Sequence, residues 1–213
     1  MKQNIIVAGV PRAGKSTLCS KIAKHGYTHV SIDSIIAGFE RVFPETGINT
    51  YAGMSSLDTL ITISSKIAPF ISAMFGSGEY GEYSLGAVID VYQLLPCDYI
   101  KHIHSNISEI EIDSYKTKIF YLGSSDVTPD ERFTIQKQYD TKRDYTFYKT
   151  DEELREGADY IVEQSKLIKT QCEQYSLPYY DTSYNRFETF DNILRDVIEQ
   201  DRGTVHLSPL SYE

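Results

Sequence analysis

Gly9-Val10-Pro11-Arg12-Ala13-Gly14-Lys15-Ser16 is the stretch of this chain whose residue types and spacing speak most directly of chemistry. Its glycines permit backbone angles that turn amide N–H groups inward around an anion. The spacing GxxxxGK[ST] is that of a P-loop, which cradles the phosphates of a nucleoside triphosphate. In such a loop Lys15 reaches the β- and γ-phosphates and the Ser16 hydroxyl ligates Mg²⁺. A helix that begins there points its positive end at the phosphates. The expected triphosphate contacts are therefore Gly9, Pro11, Arg12, Ala13, Gly14, Lys15, Ser16 and Thr17. ATP and Mg²⁺ are the cofactors they imply. The DxxG switch of GTPases is absent from the chain, which tilts the base toward adenine.

Two acids follow at the places where such a loop needs help. Asp33 comes just after the β-rich run Tyr27 to Ile32, at the carboxyl edge of a strand. Ligands bind at that edge in open α/β sheets, and a carboxylate there can take the proton of an attacking hydroxyl. The bland alternative is that Asp33 caps a helix starting near Ser34. Asp90 ends the apolar run Ala87-Val88-Ile89, the pattern of an acid that positions Mg²⁺ directly or through water. Lys and Arg gather again between Arg132 and Arg143. His102 and His104 stand apart from other ligand types, and no serine has a His-Asp partner in view, so neither a metal cluster nor a hydrolase triad is expected.

These residues need a scaffold, and the pattern supplies one. Asn4 to Ala8 is continuous and apolar, as a strand buried on both faces requires. Helices are expected over Lys15 to about His25, Ser34 to about Val42, within Ser55 to Phe75, and over Pro129 to about Tyr139. Further strands are expected at Tyr27–Ile32, Gly86–Asp90, Lys118–Leu122 and Pro178–Asp181. Leu154, Ala158, Ile161, Ser165, Ile168, Cys172 and Tyr175 step by three and four along one stripe, which predicts a helix over 151–175. Phe190, Ile193, Leu194 and Val197 give a last amphipathic helix, with a loose tail from Arg202. Alternating strands and helices predict a three-layer α/β/α sandwich around a five-stranded, mainly parallel sheet.

Composition narrows the partners. At 213 residues with 41% hydrophobic side chains, the chain is expected to fold as one domain, 1–213. A net charge of −9 gives no general attraction to nucleic acid or an anionic membrane. The three cysteines, widely spaced, suggest buried thiols rather than disulfides. The apolar run Ile5 to Val10 is too short for a signal peptide core or a membrane span, so a cytoplasmic protein is expected.

Taken together, the P-loop, the segment Val30-Ser31-Ile32-Asp33-Ser34-Ile35-Ile36, the acid Asp90 and the Arg-bearing stretch 128–150 resemble the small P-loop kinases of the nucleotide-kinase-like group. Among these the Asp33 segment is similar to that of chloramphenicol phosphotransferase-like and zeta-toxin-like kinases, and the layout to adenylate-kinase-like ones. The resemblance implies that Asp33 acts as base on a substrate hydroxyl. It implies a helical lid over about 128–150, whose Arg132 or Arg143 closes over the γ-phosphate, and an acceptor-binding insertion over about 34–83. It also implies adenine contacts near Thr182 and Ser183. Val91-Tyr92-Gln93 after Asp90 departs from the nucleoside monophosphate kinases, where Gly and Arg are usual. The expected activity is transfer of a phosphoryl group from Mg·ATP to a small hydroxylated acceptor. Two alternatives stand beside it: a nucleotide or nucleic-acid 5′-end kinase, and a non-catalytic nucleotide switch.

Overall fold

β-Branched, aliphatic and aromatic residues fill five short strands: β1 (Ile5–Gly9), β2 (Thr28–Ser31), β3 (Ala87–Asp90), β4 (Lys118–Gly123) and β5 (Tyr179–Asp181). The computed structural model describes residues 3–49, 56–76, 86–104 and 117–204. The strands lie in the order β2-β3-β1-β4-β5, and every neighbouring pair is parallel. All five residues of the central β1 are buried, so both faces of the sheet are covered. Register places Val7 of β1 beside Asp90 on one side and Phe120 on the other.

Seven helices accompany the strands among the described residues: α1 (Lys15–Ala23), α2 (Ile32–Val42), α3 (Leu57–Gly76), α4 (Pro96–Tyr99), α5 (Pro129–Tyr139), α6 (Asp151–Tyr175) and α7 (Arg186–Thr204). Helix α1 packs on β1, β2 and β3 and against α7, while α6 packs on β4, α4 and α5. The core joins the strand side chains to Leu18 and Ile22 of α1, Ile161 and Ile168 of α6, and Phe190 and Ile193 of α7. Helix α5 is fastened to α6 separately, through Phe133, Leu154 and Ala158 and through Val127, Ile135 and Val162.

Local chemistry explains the sharpest boundaries. Thr150 accepts a hydrogen bond from the Glu153 amide, and the Glu153 carboxylate accepts one from the Thr150 amide at 2.8 Å. Thr128 and Glu131 form the same capping box at the start of α5, with Pro129 in the first helical position. The α6 stripe is buried from Leu154 through Cys172 and half-exposed at Tyr175.

Helix α3 falls in the expected span as one helix and contains Pro69. Three elements differ from expectation. Helix α2 starts at Ile32, because Ile32 and Ile36 form its buried face, so Asp33 sits inside the first turn. Helix α4, followed by a π turn over Ile100–His104, carries no periodic signal because it is only four residues long. Helix α7 continues past Arg202 to Thr204. No helix among the described residues is long and apolar enough to cross a membrane.

Gly9 ends β1 at φ 121°, and a Cβ there would lie 2.0 Å from the Leu122 carbonyl oxygen of β4. That oxygen accepts a hydrogen bond from the Val10 amide. Gly9→Ala is therefore expected to destabilise the fold by more than about 2 kcal/mol. Urea unfolding followed by far-UV circular dichroism measures it, and an unchanged midpoint would contradict the close β1–β4 approach.

Candidate active site

Because all five strands run parallel, the ends of β1, β2 and β3 open on the same edge of the sheet. The chain leaves β1 toward β2 on one side and returns from β3 across to β4 on the other. A crevice forms where neighbouring connections diverge in this way. A cavity of about 640 Å³ lies there, with Lys15, Ser16, Asp33 and Asp90 all in its wall. The Gly9–Ser16 loop leads straight into α1, whose first residue is Lys15. Gly14 holds φ 93°, and a Cβ there would come within 2.5 Å of the Phe190 ring, so the loop and α7 meet through its bare backbone.

Lys15 is buried, and its Nζ donates to the Val10 carbonyl at 2.9 Å. Burial lowers its pKa, while Asp33 and Asp90 pull it back up. Asp33 shows the mirror image. Burial raises its pKa, Lys15 opposes, and Asp90 adds to the rise. Its Oδ1 is buried with no hydrogen-bond partner, and Ser31, not Asp33, holds the N-cap position of α2. The helix-cap explanation of Asp33 therefore does not apply. Asp90 is buried, with its Oδ2 3.3 Å from His29 Nε2. Among the described residues Cys19, His29 and Asp90 bring ligand atoms within 4.8 Å of one another. Burial pushes the Cys19 thiol well up, which keeps it protonated and a poor metal ligand.

The arginines separate. Arg12, at φ 61°, binds Asp140 and Asp144 through its two terminal nitrogens. Burial works against its charge, but those two acids outweigh it and raise its pKa. Asp144 is held at about 2 by the same bond. Arg132 is completely buried on α5 and does not line the cavity; its Nε and one terminal nitrogen have no partner. Burial, with Arg186 and Arg12 nearby, lowers it to about 10. Arg143 is exposed and outside the cavity wall; the acids on either side of it, Asp140 and Asp144, are the ones that face Arg12. Thr182 and Ser183 are buried and also outside that wall. The Thr182 hydroxyl donates toward the Ala13 carbonyl at 3.0 Å and the Gly123 carbonyl at 3.2 Å, tying β5 to the loop.

Sequence reasoning missed Tyr92, Tyr139, Tyr145, Arg186 and Phe187, which also line the cavity. Arg186 stacks 4.9 Å from the Tyr139 ring centroid and donates to the Arg12 carbonyl at 3.1 Å. No local pattern announces it, since the contact joins α7 to a loop 174 residues earlier. Thr141-Lys142-Arg143-Asp144 matches the letters of the guanine-reading TKxD pattern of GTPases. It follows a helix rather than a strand, and Asp144 is bound to Thr141 and Arg12.

No family model matches this chain, and no curated protein matches it in sequence. Solved structures do match in shape. A gluconokinase from Sinorhizobium meliloti aligns with a TM-score of 0.50 at 14% identity, over 97% of this chain and 98% of that one. A sugar kinase from a Janibacter species aligns with a TM-score of 0.53 at 14% identity, over 92% of this chain and 94% of that one. The fold is that of a P-loop kinase. At such identity the likeness is one of architecture.

Burial gives the site a measurable pH signature. Burial lowers the Lys15 pKa, so its charge is lost as pH rises through a value below that of an ordinary lysine. Affinity for a triphosphate held by Lys15 is expected to fall at alkaline pH below the ordinary lysine range of about 10.4. Fluorescent-nucleotide titration across that range checks this, and a flat profile up to about 10.4 would contradict it.

Proposed function

We propose that this protein is an ATP-dependent kinase that transfers the γ-phosphoryl group of Mg·ATP to a hydroxyl on a small acceptor. The observation that carries the reading is the meeting of Lys15, Ser16, Asp33 and Asp90 in one cavity, with a buried carboxylate oxygen of Asp33 left without a partner. The two kinases that share the fold support it.

Amide groups of the Gly9–Ser16 loop and the α1 N-terminus would hold the phosphates, and Lys15 would span the β- and γ-phosphates. Ser16 and Asp90 offer hard oxygen donors in the same wall, a set that fits Mg²⁺. When bound, that ion neutralises charge on the phosphate oxygens. Asp33 takes the proton of the acceptor hydroxyl. The acceptor oxygen then forms a bond to the γ-phosphorus, the bond from that phosphorus to the β–γ bridging oxygen breaks, and ADP leaves. The raised pKa of Asp33 suits it to this role, because a carboxylate that binds its proton more tightly is a stronger base.

Arg132 is the lid arginine this reading favours. Its guanidinium is desolvated and has open donors beside Arg12 and Arg186. Neither Arg132 nor Arg143 lines the cavity, so either would have to move inward with the lid, over about 128–150, to reach a phosphate. The base would lie toward Tyr139, Arg186 and Phe187, with Thr182 and Ser183 shaping the loop beneath it rather than touching it through their side chains. Parts of the expected acceptor insertion, 50–55 and 77–83, lie outside the described residues.

Asp33→Asn is expected to lower turnover by about 10²- to 10⁴-fold while nucleotide affinity changes little. Lys15→Ala is expected to remove ADP release altogether. ADP release from Mg·ATP, with and without pooled hydroxylated metabolites, nucleosides and nucleotides, measures both. Stimulation by a pool that survives Asp33→Asn would remove Asp33 from the chemistry. Tight nucleotide binding with no stimulated release would turn the reading toward a nucleotide switch.

A further inference from the structure

A second cavity, of about 680 Å³, lies on the far side of the same loop, between Arg12, the Tyr145–Tyr148 turn and the first half of α6. Its volume falls within the roughly 300–1,000 Å³ of small-molecule sites. It shares Pro11, Arg12 and Tyr145 with the cavity that holds Lys15 and Asp33. Those shared residues form the partition between the two.

Three features of its wall serve no purpose in the folded chain alone. Gln136 is 4% exposed, and its Oε1 has no hydrogen-bond partner. Thr146 is also 4% exposed, and its Oγ1 has none either. A buried polar atom left in this state costs about 1–3 kcal/mol. The third feature is Gly157, inside α6. A Cβ there would meet nothing within 4 Å, so neither packing nor backbone conformation requires a glycine. Glycine in a helix interior is worse than alanine by about 0.5–1 kcal/mol. Stability given up at one wall by three residues marks a place shaped for something else.

The polar groups define the occupant. Gln136, Thr146 and Tyr160 are neutral hydrogen-bonding groups, and Tyr160 also reaches the Ser56 carbonyl at the foot of α3. One cation of the wall is engaged by acids and the other lies over a ring. Arg12 is bound by Asp140 and Asp144, and the Lys149 ammonium sits 5.8 Å from the Tyr145 ring centroid. Glu153 and Glu156 line the same wall and repel a phosphate on this side of the loop. Carboxylates, amides and hydroxyls in this mixture suit a ligand with many hydroxyl groups and no net charge.

We propose that this second cavity is the acceptor subsite and that its ligand is an uncharged polyol of sugar or sugar-alcohol size. The proposal rests on the kinase reading of the neighbouring cavity. Gln136 and Thr146 hold hydroxyls of the ligand, and Gly157 leaves room for its body. The reacting hydroxyl reaches past Tyr145 toward Asp33 and the γ-phosphate, where the bond changes are those given above.

The test uses the full chain with Gly157→Leu, Gln136→Leu and Thr146→Val. Gly157→Leu fills the cavity from an uncrowded helical position, so it is expected to fold at least as well as the parent. Probes are a pool of uncharged hexoses and hexitols, their phosphate monoesters, and a fluorescent ATP analogue. One uncharged probe should stimulate ADP release. Its KM should rise about tenfold or more in Gln136→Leu and Thr146→Val, and its effect should vanish in Gly157→Leu, with affinity for the ATP analogue unchanged in all three. Stimulation by an uncharged probe that Gly157→Leu leaves intact would overturn the subsite while leaving the kinase reading standing. Stimulation only by phosphate monoesters would overturn the ligand class. Calorimetric binding of a hexitol that Gly157→Leu abolishes, without any ADP release, would support the cavity and overturn the kinase reading instead. Neither binding nor stimulation by any uncharged probe would overturn the proposal.

Discussion

An ammonium group buried beside two carboxylates sets the terms for everything around it. Lys15 is withdrawn from water, which disfavours its charge, and the Val10 carbonyl, Asp33 and Asp90 work against that loss. A buried ion missing any of these partners is strongly unfavourable. The arrangement depends in turn on the sheet. Parallel pairing of β1 with β3 sets Val7 beside Asp90, and pairing of β2 with β3 sets Ser31 beside the same residue. The loop after β1 and the acid after β2 are thereby delivered to one edge. A one-residue slip in either register would turn Asp90 to the opposite face and strand the lysine.

Around that centre lies a shell of positive charge. Arg12, Arg132 and Arg186 lie close enough that Arg12 and Arg186 each lower the Arg132 pKa, and burial lowers it further. A chain with a net charge of −9 thus concentrates cationic groups at the one place where its glycine loop presents backbone amides. Local fields of this kind decide where an anion settles, whatever the overall charge.

The sequence was most legible where the signal is local. The GxxxxGK[ST] spacing, the acid after an apolar run and the stripe along 151–175 each lie within one element, and the structure shows the corresponding loop, strand ends and helix. Asp33 and Asp90 could be placed at the sheet edge because a strand ends beside each. Lid charge was not legible in the same way. Arg143 drew notice as a cation, yet the turn from Asp140 to Asp144 faces its carboxylates toward the loop and leaves Arg143 outside. Which side of a turn looks inward depends on Arg12, more than a hundred positions away in the chain. Arg186 and Tyr139 were hidden for the same reason, as were the open polar atoms of Gln136 and Thr146. Burial without a partner is a property of packing, and no spacing rule encodes it.

The double ion pair of Arg12 has a consequence for how quickly and how tightly any anion is received. The guanidinium nearest the loop is already taken by Asp140 and Asp144, so an incoming phosphate competes with two tethered carboxylates for one partner. The conformers with Arg12 released are a fraction of the population, and the apparent dissociation constant is the intrinsic one divided by that fraction. Release also unties Asp140 and Asp144 from the loop, while the bonds of Asp144 to Thr141 keep the turn itself together. Entry of the anion and detachment of that turn are then two readings of a single exchange of partners, and anything that steadies the Asp140–Asp144 turn against the loop weakens the anion's hold by the same factor.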